Sequence, residues 1–128
     1  MLHKTHFSLE QANKLLKEMK PMIIEMSVLK YKLDSTGYDI YRHEYFGGIG
    51  PNGTGAFPDE MEQLIVTIKK ITSRGILIKN FNNGLVDFPH VRSNGDEVYL
   101  CWMLGEESIK FWHNIPDGFP GRRKIEEL

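Results

Sequence analysis

The chain has one cysteine, Cys101, in 128 residues, so no internal disulfide can staple it. That scarcity favours a reducing, cytoplasmic setting. No apolar run approaches the ~20 residues a membrane-spanning helix needs, and the opening MLHKTHFSLEQ lacks the apolar core of a secretion signal. Neither sign of charge dominates. The formal net charge is −1, so no global field draws the chain to nucleic acid or an anionic membrane. C-x-x-C and H-x-x-x-H spacings are both missing, which removes the commonest metal motifs. Membrane partners, nucleic-acid partners, metals and cofactors are therefore not expected, and the basic run Arg122-Arg123-Lys124 reads as a solvated tail.

What is present reads as a single α+β domain over residues 1–128. Ser8 and Gln11 make a capping box, with Phe7 and Ala12 at the staple positions. Behind them Ala12, Leu15, Met19, Met22, Met26, Leu29 and Leu33 recur at spacings of three and four, predicting a helix over 8–35. Pro21 is expected to kink or split it. Residues 36–58 form a Tyr/Gly-rich connector whose Gly48, Gly50 and Gly53 spell G-x-G-x-x-G. No strand precedes that run and Pro51 interrupts it, so it is a loop and not a phosphate cradle. Asp59 can cap a second helix over 59–74, carrying Met61, Leu64, Ile65, Ile68 and Ile71.

Residues 76–114 read as a four-stranded antiparallel meander: 76–79, 85–92, 97–104 and 109–113, with 115–128 as a loop-like tail. The second strand, LVDFPHV, holds a carboxylate and a proline that a buried strand does not favour. If Asn94-Gly95 is a two-residue hairpin loop, Arg92 faces Glu97, Asp87 faces Trp102 and Phe88 faces Cys101. Asp87 then lies on the more uniformly apolar face, the one for the helices to cover. A two- or four-residue turn at 105–108 adds His113 to that face, and a three-residue turn would reverse the last strand. Cys101 and His113 then lie on opposite faces, which argues against a shared zinc site or a Cys-His nucleophile pair.

A carboxylate under helices needs a partner, and the candidates are Trp102, His113 and an arginine of the tail. The plainer reading is a structural ion pair; the sharper one is a working carboxylate. The other face, with Phe88, Tyr99, Cys101, Met103 and Trp112, forms an aromatic patch of the kind that marks an interface. Either 38–46 folds over it or a second subunit does.

FSLEQANKLL, GLVDFP, the run from Cys101 to Glu106, Trp112-His113 and the run from Gly118 to Arg122 together resemble the prokaryotic domain-of-unknown-function family numbered 2203. The family pattern has Glu where Gln11 stands, and often Pro where Lys17 stands. That family carries no assigned activity, so the resemblance implies no catalytic role. It does single out Asp87, Trp102, Glu106, His113 and Arg122 as motif positions, a candidate polar site or the network that holds the tail down.

The leading expectation is a non-enzymatic interaction module, a homodimer joined through Phe88, Tyr99, Met103 and Trp112 or through the helical stripe. The alternative is a small-molecule-binding protein or an undescribed enzyme, with Asp87 as base or orienter, His113 as acid/base and Arg122 as anion anchor.

Overall fold

The computed structural model describes residues 1–48 and 58–128. Helix α1 spans Leu9–Ser35, entered through the expected box: Gln11 N–H donates to Ser8 Oγ at 3.0 Å and Ser8 N–H to Gln11 Oε1 at 2.9 Å. It runs unbroken through Pro21, contrary to a split there. Pro21 is exposed, so the carbonyl it leaves without an intrahelical donor is on the side where water can reach it. Helix α2 spans Asp59–Thr72. Its N-cap is Pro58 rather than Asp59, which instead opens an acidic first turn with Glu60 and Glu62.

The predicted four strands are five, in the order β1-β2-β3-β4-β5: β1 Leu77–Asn80, β2 Leu85–Val91, β3 Glu97–Trp102, β4 Phe111–Asn114 and β5 Arg123–Lys124. The last lies in the tail that was expected to be loop. Ile125 N–H donates to the Lys110 carbonyl and the Trp112 indole N–H to the Lys124 carbonyl, tying the tail along β4. The G-x-G-x-x-G run lies largely outside the described residues. Residues 38–46 form two short 3-10 turns that bury Ile40 and set Phe46 against Phe81, near the β1–β2 turn.

The β2–β3 register differs from expectation by one residue. Asp87 pairs with Cys101 and Phe88 with Leu100. The connecting loop is Ser93-Asn94-Gly95: Gly95 N–H donates to the Arg92 carbonyl and Arg92 N–H to the Asp96 carbonyl, both at 2.8 Å. Gly95 sits at φ +92°, the turn-plus-bulge form of a three-residue hairpin rather than the two-residue form. The β3–β4 register is also one residue from expectation, with Tyr99 opposite His113 and Leu100 opposite Trp112. The two offsets cancel between β2 and β4, so Asp87 and His113 stay on one face. Against the helices β3 faces as expected, with Val98, Leu100 and Trp102 inward, and it is Asp87 and His113, expected on the covered face, that turn to the outer one.

One face carries Val86, Phe88, Val98, Leu100, Trp102 and Trp112 into a common core with Leu16, Met19, Ile23 and Met26 of α1 and Met61, Leu64 and Ile68 of α2. Burial of these side chains is what orients the helices on the sheet. Pro89 is accommodated in β2 because β1 begins at Leu77, opposite Asp87, and so does not extend alongside Pro89. The Pro89 carbonyl there accepts from Phe7 N–H at 2.8 Å, so the side of β2 on which proline lacks a donor meets the N-terminal segment and not a strand. That segment is anchored by Glu97, which accepts from Leu2 and Leu2's neighbour His3 through their backbone N–H groups and from His6 Nε2 at 2.6 Å. These bonds, His6 foremost, hold the Glu97 carboxyl down at about 2.

Two glycines separate conformational from packing cost. A Cβ at Gly95 meets nothing within 4 Å, so Gly95→Ala is expected to lose about 1 kcal/mol, from positive φ alone. At Gly84, φ +65°, a Cβ would lie 2.6 Å from Leu104 Cγ. Overpacking there adds about 1–3 kcal/mol. Urea titration should rank Gly84→Ala clearly below Gly95→Ala; equal losses would contradict the packing described.

Candidate functional site

On the sheet face away from the helices, three side chains from three adjacent strands converge: Asp87 (β2), Cys101 (β3) and His113 (β4). Strands ~4.8 Å apart place β2 and β4 about 10 Å from each other. Asp87 stands opposite Cys101 and His113 opposite Tyr99, so the imidazole and the carboxylate meet on a diagonal over β3, where a short side chain at 101 leaves them room. Cys101 is short; Trp102, which the two-residue hairpin would have put opposite Asp87, is not. His113 Nε2 lies 3.1 and 3.2 Å from the two Asp87 oxygens. Both side chains are almost fully buried, at 3% and 2% exposure, so Asp87 does have the partner its position requires.

The protonation geometry is constrained. His113 Nδ1 is 2.8 Å from the Asn114 carbonyl, which can only accept, so Nδ1 carries a proton. Nε2 faces a carboxylate, so it donates as an imidazolium or the pair holds one proton between them. Burial pulls His113 down, but the Asp87 carboxylate and the Asn114 carbonyl outweigh it and hold His113 above its ordinary value. Burial, followed by the nearby Asp87 charge, pushes the Cys101 thiol up to about 12, against the opposing pull of Arg122. Cys101 is thus a thiol and not a ready nucleophile.

The pair opens onto a cavity of about 170 Å³, lined also by Lys79, Tyr99, Ile115 and Phe119. Tyr99 stands edge-on to His113 at 5.6 Å, its hydroxyl 2.6 Å from His3 Nε2. Lys79 Nζ lies 5.0 Å from the Tyr99 ring centre. A larger cleft of about 490 Å³, lined mainly by apolar atoms of β1, α2 and the aromatics Tyr45, Phe46 and Phe81, shares Lys79 with it.

The candidate polar residues divide in two. Asp87 and His113 form the pair, whereas Trp102, Glu106 and Arg122 fasten the turn after β3 to the tail. The Trp102 indole N–H donates to the Glu106 carbonyl at 2.9 Å, and Met103 N–H to Glu106 Oε1 at 2.9 Å. Arg122 donates to that same Oε1 at 2.6 Å while its guanidinium covers Phe111 at 4.1 Å. Arg122 is therefore committed to Glu106. Trp102 lies on the helix face, away from Asp87. The expected aromatic patch is divided too: Phe88 and Trp112 are fully buried under the helices, and Tyr99 is 5% exposed on the opposite face. Cys101 and His113, expected on opposite faces, share one. Lys79, Tyr99 and Cys101 were not among the expected polar site, and a three-residue reading of the Ser93–Gly95 loop was the signal that would have included the last two.

A family model described as an uncharacterized conserved protein, DUF2203, matches residues 5–125. The chain belongs to this family. No curated protein and no solved structure matches it. The DUF2203 match covers both the Asp87–His113 pair and the Glu106–Arg122 fastening, and the family description assigns a role to neither. No helix among the described residues is long and apolar enough to cross a membrane.

Breaking the pair from one side should be severe. Asp87→Ala leaves a buried imidazolium or an unpaired Nε2–H, with an expected loss of about 3–5 kcal/mol in urea titration. Replacing both partners, Asp87→Leu with His113→Phe, is expected to lose much less than the sum of the single changes. Additive losses would mean that the two groups do not interact.

Proposed function

We propose that this chain is a cytoplasmic small-molecule-binding protein whose site is the cavity on the outer face of the sheet. The observation that carries this reading is the buried Asp87–His113 pair opening onto a closed-in space of about 170 Å³ with a cation, Lys79, at its edge. A buried ionisable pair is costly to maintain where apolar residues would pack as well, and it borders space instead of core. The volume suits a ligand of few heavy atoms. Lys79 replaces Arg122 as the group available to an anion, since Arg122 is held by Glu106. Both His113 nitrogens are already engaged, which supports binding over proton transfer to a ligand.

Small carboxylates, beginning with acetate, oxalate and malonate, are the probes. At least one should raise the melting temperature of the parent, and the shift should shrink in Lys79→Met. If every such acid leaves both proteins unchanged, the binding reading fails.

Self-association has separate support, from a different surface than the aromatic patch. Ile24, Val28 and Tyr31 on α1 are 50%, 45% and 72% exposed, and their spacing of four and three puts them on one stripe. A homodimer joined there is the second reading. Light scattering at micromolar concentration should give twice the chain mass for the parent and the single chain mass for Val28→Glu. A monomeric parent would exclude it.

A further inference from the structure

The geometry points to a divalent transition-metal site, of the zinc type, formed by Asp87, Cys101 and His113. This rests on the preceding reading that the outer-face cluster is a ligand site, and it names an ion as the first ligand held there.

Three observations converge. The carboxylate oxygen, the thiol sulfur and the imidazole nitrogen all lie within 4.8 Å of one another. Bonds of roughly 2.0–2.3 Å in a tetrahedral shell set ligand atoms about 3.3–3.8 Å apart, so the widest pair closes by only about 1 Å, within side-chain adjustment. Second, the histidine is already set for ligation. With Nδ1–H donating to the Asn114 carbonyl, the nitrogen that faces Asp87 is Nε2. A second hydrogen bond that fixes the tautomer in this way is the usual support of a metal-bound imidazole. Third, the cluster is buried: Asp87, Cys101 and His113 are 1%, 0% and 2% exposed.

The donor set selects the ion. A thiol, an imidazole and one carboxylate suit zinc or cobalt, whereas magnesium and calcium require mostly oxygen. The surrounding cations do not forbid it. Arg122, beside Cys101, is neutralised by Glu106 at 2.6 Å, and Lys79 is exposed at the cavity edge. On binding, the ion takes the place of protons: the Cys101 S–H proton leaves, as does the proton on Nε2 of the pair, and the carboxylate keeps its charge. Three protein ligands leave a position for the small molecule in the adjoining cavity, the arrangement of an open rather than a closed site.

Cobalt(II) added to purified, chelator-treated protein tests this. The expected result is one equivalent bound per chain, with a thiolate-to-cobalt charge-transfer band that zinc abolishes and that is missing in Cys101→Ser. X-ray absorption of the zinc-loaded parent, which needs no variant, should show one sulfur at about 2.3 Å among lighter ligands at about 2.0 Å. Absence of the band in the parent, its persistence in a folded Cys101→Ser, or a zinc shell without sulfur overturns the site. The two readings fail separately. Cobalt binding with no carboxylate response, metal-loaded or metal-free, sinks the small-molecule reading and leaves the metal site. A carboxylate response in protein that gives no cobalt band does the reverse.

Discussion

The β2–β3 register is the constraint on which the rest of the molecule depends. It is set at the Ser93–Gly95 loop, where Gly95 takes a positive φ and adds one residue to the turn. Because side chains alternate with a period of two, that one residue decides which side chains of β2 share a face with each side chain of β3. Val98, Leu100 and Trp102 face the helices as expected, and the added residue parts them from Asp87 and His113, which share the outer face with Tyr99 and Cys101. Without it Trp102 would stand opposite Asp87 on the same face, in the place Cys101 takes.

The two faces are covered by different means. The helices bury an aliphatic and aromatic layer, non-directional and wide. The other face is partly covered by the chain's two end segments: His3 and His6 on Tyr99 and Glu97, and Ile115, Phe119 and Arg122 of the tail, while β5 pairs beside β4 at the sheet edge. Such a cover is polar and stepped, and it leaves the small cavity against Asp87 and His113 that a helix packed flat on the sheet would have filled. The fastening and the site are thus distinct: Glu106 and Arg122 maintain the space, and Asp87 and His113 face it.

Motif residues that look alike in sequence consequently differ in what they do. Trp102 and Trp112 each donate an indole N–H to a backbone carbonyl from an otherwise apolar layer, the behaviour expected of buried tryptophan. Cys101 reads from sequence as a small apolar residue. Its size is what matters first, since it lets two longer side chains meet above it, and its sulfur becomes a ligand only if an ion draws off the proton.

Local patterns were legible wherever one element's own chemistry was enough. The capping box of α1, the apolar stripes of both helices and the positions of β1 to β4 follow from hydrogen-bonding at a helix end and from periodicity within a segment. That Asp87 needs a partner, and that His113 is on its face, was also readable, because the errors at the two edges of β3 cancel. What needed the tertiary structure was every relation between segments: the length of the Ser93–Gly95 loop, the turn of Asp87 and His113 to the outer face, the fifth strand in the tail, and Lys79 beside Tyr99. Asn-Gly is compatible with either hairpin form, and only the fit of Leu100, Trp102 and Trp112 against the helices selects one. The sequence by itself determined which residues had to be buried and which carboxylate had to be neutralised; the packing of two layers decided which groups meet, because register is a property of pairs of strands and not of any one of them.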